Sequence, residues 1–251
     1  MKISVITITY NSEKTVEDTI KSVVAQDFPN LEYLIIDGMS KDKTLQVVGK
    51  YNAYIDKVVS EKDKGLYDAL NKGIKAATGE VIGMLHSDDI YANNQVISKV
   101  AQQFAIDPDL EAVYADLVFV DRNDTGKVLR TWKAGEYKED AFKKGWMPPH
   151  PTFFVKKSVY ERFGGFNLDL KLSADYELML RFIHKEKIKV AYLPEIIVKM
   201  RMGGISNTSF FVKLKANLED KKAWKLNGVK PGWFTTLRKP LKKIGQYFIK
   251  G

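Results

Sequence analysis

Two adjacent carboxylates, Asp88 and Asp89, directly follow an apolar segment, residues 81–86, that predicts a buried strand. Like charges at this distance repel, so one of the two retains its proton unless a cation lies beside them. The carboxyl end of a central strand is where an open α/β sheet binds its ligand. Mg²⁺ or Mn²⁺ uses one or two carboxylates and completes its shell with phosphates and water. The two residues therefore predict metal-dependent chemistry on a diphosphate compound; the alternative is an Asp-Asp turn that caps the next helix.

Polar residues also end the first two predicted strands. Thr9, Tyr10 and Asn11 follow the first strand, and they offer a hydroxyl, a flat ring and an amide that suit a base and a ribose. Asp37 ends the second strand, where its carboxylate can accept hydrogen bonds from a base or from ribose hydroxyls. The alternatives are that Asn11 or Ser12 caps the following helix and that Asp37 merely begins a turn.

A third group of polar residues lies in the segment 61–73. Asp68 and Asn71 are three residues apart on a predicted helix and therefore share a face, while Lys64 precedes that helix and could balance phosphate charge. A solvated, charged helix is the alternative. The chain has neither a G-x-G-x-x-G after the first strand nor a G-x-x-x-x-G-K-[ST] motif, which argues against a dinucleotide-binding fold and against a P-loop NTPase.

Strand and helix patterns alternate along the first half of the chain. Apolar, β-branched segments predict strands over residues 3–9, 31–36, 55–59 and 80–86. Helical spacing of apolar residues predicts helices over 15–26, 44–51, 66–77 and 94–104. This alternation predicts an α/β fold, in which right-handed βαβ units form a mostly parallel sheet flanked by helices.

The pattern changes after residue 105. Strands are predicted over 110–120, 127–132, 151–155, 189–193 and 196–200, with one helix over 173–184. A later helical stripe of Phe211, Leu214 and Leu218 is interpreted as part of the core. We therefore divide the chain into a nucleotide-binding half (1–105), a mixed second half (106–205) and a basic helical tail (206–251).

Composition bounds the cellular setting. The 251 residues include no cysteine, which excludes a disulfide framework, a thiolate metal site and a cysteine nucleophile, and which fits a reducing compartment. The N-terminus enters a strand-like stretch without a signal-peptide pattern, and no run of 18 apolar residues predicts a transmembrane helix. These features predict a cytoplasmic protein.

The net charge of +9 lies in the C-terminal tail. Residues 205–251 hold eleven Lys or Arg and two acidic residues, so residues 1–204 are neutral. Leu237, Leu241, Ile244 and Phe248 share one helical face among basic residues, which is typical of a helix at an anionic membrane surface. We therefore expect a peripheral protein at the inner face of the cell membrane. A helix packed on the domain is the alternative; an acid-lined cleft argues against specific nucleic-acid binding.

Four motifs in register resemble glycosyltransferase family 2. They are Thr9-Tyr10-Asn11, Asp37-Gly38 with Ser40, DKGLYDALNKG at 63–73, and Ser87-Asp88-Asp89. The resemblance covers roughly residues 1–205. It implies the GT-A fold, transfer of a sugar from a nucleotide diphosphate, and an acceptor-binding role for residues 106–205.

The resemblance also implies roles for the matching residues. Thr9 and Asp37 would contact the nucleobase, usually uracil, and Asp88 would contact the ribose or the sugar. Asp89 would bind the Mn²⁺ or Mg²⁺ ion that bridges the diphosphate. The full donor-binding set that we predict comprises Thr9, Tyr10, Asn11, Asp37, Gly38, Lys64, Gly65, Asp68, Asn71, Ser87 and Asp88.

The family also needs a base for the acceptor hydroxyl, and the matching residue is Asp175. Inverting transfer is a direct displacement at the anomeric carbon, so one carboxylate removes the acceptor's proton while the metal stabilises the leaving diphosphate. Asp175 lies in the first turn of a predicted helix, a position that acids also favour for purely structural reasons. Glu177, His150 in a proline-rich loop, and Arg201 before two glycines are candidates for acceptor binding or for a lid.

Taken together, these features predict an inverting, metal-dependent glycosyltransferase. Its donor would be a UDP-sugar carrying a hexosyl or N-acetylhexosaminyl group, and its acceptor a lipid-linked saccharide in cell-surface polysaccharide biosynthesis. A sugar nucleotidyltransferase is the competing interpretation, but such enzymes usually have a Gly-rich, basic loop after the first strand, which residues 9–13 lack.

Overall fold

Four parallel strands form one half of the sheet in the computed structural model, which describes residues 1–203 and 210–231. Strand β1 (Ile3–Thr9) pairs with β2 (Leu31–Asp37) on one side and with β4 (Val81–Met84) on the other. Strand β3 (Lys57–Ser60) pairs with the outer edge of β2. The carboxyl ends of β1, β2 and β3 therefore meet at one edge of the sheet, as the alternating pattern predicts.

Helices connect these strands. They are α1 (Val16–Val24), α2 (Thr44–Gly49) and α3 (Leu66–Ala76), and α4 (Val96–Ile106) follows the next, short strand, β5 (Asp89–Tyr91). The side chains of β1 and β2 alternate between the two faces of the sheet. Ile6 and Ile36 pack with α3 on one face, whereas Val5 and Ile35 pack with α1 on the other. Each face thus carries its own apolar core.

The second half of the chain continues the same sheet with mixed pairing. Its strands are β6 (Ala112–Val120), β7 (Val128–Trp132), β8 (Phe154–Lys156) and β9 (Val190–Arg201). The sheet order is β3-β2-β1-β4-β8-β6-β9-β5, with β7 also paired to β6. One sheet therefore takes strands from both predicted halves, and their boundary at residue 105 stays a prediction.

Several elements differ from the sequence-based prediction. The two strands expected over 189–193 and 196–200 are one strand, β9, because Pro194 and Glu195 bulge out between the residues that pair with Ala115 and Asp116. The predicted helix over 173–184 begins as α6 (Ala174–Met179) and continues as a π-helical segment, Leu180–Lys185. Helix α5 (Lys157–Phe163) and strand β5 were not predicted.

Helix α7 (Phe210–Leu226) packs on the body through a face that the sequence analysis did not select. Leu214 and Leu218 are exposed, so their assignment to the core is wrong. Trp224 is fully buried instead, and its indole N–H donates to the Tyr176 hydroxyl at 2.9 Å. The Glu219 carboxylate accepts from three successive backbone N–H groups, of residues 171–173. The predicted tail therefore begins with a helix that packs against α6.

In the part of the chain that the structure describes, no helix combines the length and the apolar character needed to cross a membrane. The amphipathic segment predicted around Leu237 to Phe248 lies outside the described residues.

Candidate active site

The ends of β1 and β2 place two predicted donor-binding residues side by side. Thr9 and Asp37 are opposite each other in the sheet, and the Gly38 N–H donates to the Thr9 carbonyl at 2.9 Å. The fully buried Asp37 carboxylate accepts from the Ser40 backbone N–H and hydroxyl and from the Ser60 hydroxyl, at 3.0, 2.5 and 2.6 Å. The Thr9 hydroxyl is buried and has no hydrogen-bond partner among the described residues. Asp37 is thus held in place, while Thr9 keeps its capacity to bind.

The loop after β1 lacks the side-chain helix cap that the alternative interpretation requires. Helix α1 begins after Thr15, and neither Asn11 nor Ser12 caps it with a side chain, so that interpretation is wrong. The Asn11 side-chain carbonyl accepts from the Lys41 N–H at 2.8 Å, with the Asn11 backbone in the left-handed region at φ 50°. Asn11 therefore ties the loop after β1 to the loop after β2. The ring of Tyr10 remains 58% exposed beside it and is available for stacking.

The segment before α3 approaches the end of β2 closely. A side chain at Gly38 would overlap the Asp63 carboxylate, which explains the glycine there. Asp63 accepts from the Gly65 N–H at 2.8 Å, and Asp68 accepts from the Lys64 N–H at 2.9 Å. Asp68 therefore ties the first turn of α3 to the segment before it, and the exposed Lys64 side chain extends from this segment.

Asn71 lies about one turn further along α3, and both the NH₂ group and the carbonyl oxygen of its side chain are hydrogen-bonded. Its NH₂ donates to the Phe166 carbonyl at 2.9 Å, and its carbonyl oxygen accepts from the Phe166 N–H at 2.8 Å. A side chain at Gly165 would overlap the Asn71 carbonyl oxygen, so the glycine permits this contact. Asn71 thus anchors the loop that follows α5, and its predicted place in the donor pocket stays a prediction.

The segment Ser87-Asp88-Asp89 forms the opposite wall of the loop after β1. The Ser87 and Ser12 hydroxyls are 2.9 Å apart and hydrogen-bonded. Asp89 begins β5 and is 1% exposed, whereas the Asp88 side chain keeps accessible surface. Burial, reinforced by the charge of Asp88, raises the pKa of Asp89 well above its usual range. Helix α4 starts only at Val96 without a side-chain cap, so the alternative of a capping Asp-Asp turn is wrong.

Arg201, predicted as a lid cation, is buried in the body of the protein. Its guanidinium donates to the Asp18 carboxylate at 2.5 Å, to the Asp88 carbonyl at 3.0 Å and to the Arg122 carbonyl at 3.2 Å. It therefore fixes the backbone of Asp88 from behind. The backbone N–H of Arg201, and then its charge, lower the pKa of Asp89 against the effect of burial. Gly203 ends this described stretch, and the residues that follow it, 204–209, lie outside the described residues.

Asp175 stands in the first turn of α6 and meets residues from two other elements. The Tyr67 hydroxyl, from α3, donates to Asp175 Oδ1 at 3.1 Å. His150, in a short 3₁₀ helix, places Nδ1 3.4 Å from Asp175 Oδ2. The rings of His150 and His86 contact each other edge to face at 5.5 Å, and His86 follows β4. These four side chains line one cavity of about 90 Å³.

Glu177, the other acidic candidate on this helix, has a structural role. It is 3% exposed, pairs with Arg181 at 2.9 Å, and accepts from the amide of Asn227, the residue after α7, at 3.0 Å. Arg181 in turn donates to the backbone carbonyls of residues 163–165. Glu177 therefore holds together α6, α7 and the loop that Asn71 anchors.

Asp88 and Asp89 fit a divalent cation in one respect. The two carboxylate oxygens of Asp89 are buried and have no hydrogen-bond partner among the described residues. Within residues 1–203 and 210–231, no group of three or more His, Asp or Glu is arranged to hold a metal ion. A cation at this place would therefore take most of its ligands from a diphosphate and from water, as Mg²⁺ commonly does.

Two contributors to the site were missed in the sequence. Tyr67 lies between Asp68 and the glycine turn of the same motif, but its spacing gave no reason to pair it with a residue 108 positions away. His86 was treated as part of an apolar strand. The surrounding protein lowers the pKa of His86 to about 3, chiefly by desolvation, so it is a neutral ring at neutral pH.

Comparison with known proteins decides the family. The sequence model of Glycosyl transferase family 2 matches residues 4–163, more than half of the chain. The chain belongs to glycosyl transferase family 2. An uncharacterized glycosyltransferase of Mycobacterium tuberculosis is 30% identical over 187 residues, 71% of this chain and 68% of that protein. A PGL/p-HBAD biosynthesis glycosyltransferase of Mycobacterium bovis is 24% identical over 209 residues, 82% of this chain and 79% of that protein.

Solved structures show the same architecture. S. aureus TarS 1-349, crystallised with UDP-GlcNAc, superposes with a TM-score of 0.68 at 20% identity, over 90% of this chain but 65% of that one. The mannosyltransferase PcManGT from Pyrobaculum calidifontis, in complex with GDP-Man and Mn²⁺, gives 0.67 at 21% identity, over 99% and 70%. The predicted GT-A fold is thereby confirmed, and this family 2 protein is a glycosyltransferase.

Proposed function

We propose that this family 2 glycosyltransferase is an inverting enzyme with Asp175 as its base and a UDP-sugar as its donor. One chain of contacts supports the proposal. His86 lies two residues before Asp88 at the end of β4, it touches His150, and His150 lies 3.4 Å from Asp175. Two histidines, His150 and His86, therefore connect the candidate base with the segment that carries the carboxylates proposed for the diphosphate.

The donor would lie along the strand ends. Thr9 and Asp37 are proposed for the nucleobase, with Tyr10 available to stack on it, and Asp88 for the ribose or the sugar. The exposed Lys64 can balance the charge of the diphosphate. UDP is preferred because the Asp37 carboxylate, which accepts three hydrogen bonds from the protein, keeps capacity for one more from an imide N–H. The TarS complex with UDP-GlcNAc supports the same choice.

Asp89, with Asp88 beside it, is proposed to hold a divalent cation together with the diphosphate of the donor. When bound there, Mn²⁺ or Mg²⁺ would stabilise the negative charge of the leaving diphosphate. The PcManGT complex with Mn²⁺ supports this choice. We expect Asp88→Asn and Asp89→Asn each to weaken Mn²⁺ binding in the presence of UDP by about tenfold or more. The exposed Asp109→Asn variant is the control. Mn²⁺ affinity is measured by electron paramagnetic resonance, and an affinity unchanged in both site variants would contradict the proposal.

In the transfer step, Asp175 would accept the proton of the acceptor hydroxyl as its oxygen attacks the anomeric carbon. The bond from that carbon to the diphosphate breaks on the opposite face, and its electron pair leaves with the diphosphate. Configuration at the anomeric carbon is therefore inverted. The neutral His86 adds no positive charge to the site, so Asp175 has His150 and Tyr67 as its polar neighbours here.

The acceptor is proposed to be a lipid-linked saccharide of cell-surface polysaccharide biosynthesis, bound by residues 106–205 at the inner face of the membrane. The basic composition of residues 205–251 supports an anionic surface as a partner. The test is co-sedimentation of the full chain, and of a chain lacking residues 232–251, with vesicles of anionic and of neutral lipids. Binding to anionic vesicles that disappears with the deletion supports membrane association, and equal partitioning of both chains contradicts it.

Release of nucleoside diphosphate tests the enzymatic proposal. Purified protein is incubated with UDP-, GDP- and dTDP-sugars in Mn²⁺ or in EDTA, alongside Asp175→Asn. We expect slow, Mn²⁺-dependent release from a UDP-sugar that is lost in the variant. Release that persists in Asp175→Asn would rule out its role as base, and binding of GDP but not UDP in calorimetry would rule out the donor assignment.

A further inference from the structure

Tyr67 contacts the proposed base from the side of α3. The residue is buried, and its hydroxyl donates to Asp175 Oδ1 at 3.1 Å. An aspartate side chain can rotate about its χ1 and χ2 bonds, and a hydrogen bond to one carboxylate oxygen restricts this rotation.

The Tyr67 ring is itself held in place. It stacks on Phe166 with the ring centres 5.5 Å apart and the planes inclined by 23°. The backbone of Phe166 is bonded on both sides by Asn71, which lies one helical turn from Tyr67 on α3. Helix α3 therefore fixes the hydroxyl of Tyr67 both directly and through the loop that carries Phe166.

Tyr67 stays a neutral donor under all working conditions. Burial, and then the charge of Asp175, raise the pKa of the Tyr67 phenol far above its usual value. The phenol therefore cannot compete with Asp175 as a base, and its proton remains available to the Oδ1 atom. The second carboxylate oxygen, Oδ2, lies on the side of His150 at 3.4 Å.

We infer that Tyr67 is a positioning residue that orients the Asp175 carboxylate, so that Oδ2 is the oxygen that takes the acceptor's proton. The inference rests on the proposed role of Asp175 as base. With Oδ1 committed to Tyr67, the acceptor proton moves to Oδ2, the acceptor oxygen bonds to the anomeric carbon, and the diphosphate leaves. Tyr67 itself neither gains nor loses a proton.

The experiment compares Tyr67→Phe with the wild type and with Tyr160→Phe. Tyr160 lines the same cavity and is equally buried, so its variant also removes one buried hydroxyl but none that donates to Asp175. UDP-GlcNAc and GDP-mannose serve as donors with Mn²⁺ and with water as the acceptor, because water also needs a base. For Tyr67→Phe we expect kcat to fall roughly 10- to 100-fold while the donor KM and the melting temperature stay near wild type. Tyr160→Phe should keep the wild-type kcat.

Other outcomes overturn the inference and separate it from the parent proposal. A kcat of Tyr67→Phe within twofold of wild type, or an equal loss in Tyr160→Phe, would show that Tyr67 does not position the base. If Asp175→Asn keeps its activity, the assignment of the base fails instead. Crystal structures of the wild type and Tyr67→Phe decide the matter even without measurable turnover. The carboxylate of Asp175 must change its rotamer or become disordered in the variant, and an unchanged carboxylate refutes the inference.

Discussion

Replacing Asn71 by alanine tests whether this residue frames the site or binds the donor. In the structure its amide makes two hydrogen bonds to the backbone of Phe166, at 2.9 and 2.8 Å, between segments 95 positions apart. Each bond contributes about 1 kcal/mol, and the Phe166 backbone groups would be left without their partner in a partly buried place. We therefore expect Asn71→Ala to lower the free energy of unfolding by about 2–4 kcal/mol.

Urea unfolding monitored by circular dichroism measures this loss, with Asn167→Ala as the matched control. Asn167 lies in the same loop and accepts one exposed hydrogen bond, from the Asp169 N–H at 2.9 Å, so its removal should cost less than about 1 kcal/mol. If the two variants lose equal stability, the anchoring role is refuted. A raised donor KM at unchanged stability would instead support the predicted place of Asn71 in the donor pocket.

Three further predictions concern the frame of the site. Gly83→Ala would drive a methyl group into the Phe154 ring and should cost about 1–3 kcal/mol in urea unfolding, whereas Gly49→Ala, with open space around it, should be neutral or slightly stabilising. Burial alone would raise the pKa of Glu32, but hydrogen bonds from two hydroxyls, an amide N–H and a lysine lower it to about 2. About 3 kcal/mol of stability is therefore present above pH 4.5 and is lost as the pH falls towards 2. Glu32→Gln should abolish that pH dependence in acid unfolding curves. Arg201→Met should lower the melting temperature by several degrees, because it removes bonds to an aspartate and two carbonyls; an unchanged melting temperature with a raised donor KM would restore the lid interpretation.

The strands of the first half could be predicted closely because their signals are local. β1 was predicted residue for residue, and β2 to within one residue, since a β-branched run between turn residues has few other solutions. Strand β5 could not be predicted in this way. It has three residues, and it exists because β9, about 110 residues later, provides its pairing partner. The same holds for the continuity of β9, which pairs with β6 on both sides of a bulge opposite Ala115 and Asp116.

The residues of the candidate site likewise divide into those with a local sequence signal and those whose contacts are distant in the chain. Residues at strand ends, such as Thr9, Asp37 and Asp88, could be selected because parallel strands bring their carboxyl ends together. The contacts of Asn71, Arg201 and Glu177 could not, because each has a partner 50 to 183 positions away in the chain. The sequence therefore indicates polar residues of the right type, but the fold decides which of them are already hydrogen-bonded within the protein.

The hydrogen bonds that each side chain already makes distinguish structural residues from candidate ligand-binding residues. Asn71, Arg201 and Glu177 have their polar groups engaged by the protein, so a ligand would have to break those bonds to use them. Thr9 Oγ1 and both carboxylate oxygens of Asp89 are buried without a hydrogen-bond partner among the described residues, a state that costs free energy unless a ligand repays it. The hydroxyl of Thr131 on β7 shares this state, so an unsatisfied group alone does not mark a site. Thr9 and Asp89 combine an unsatisfied group with a position near the carboxyl ends of β1 and β4, and on this ground we propose them for the donor and its metal.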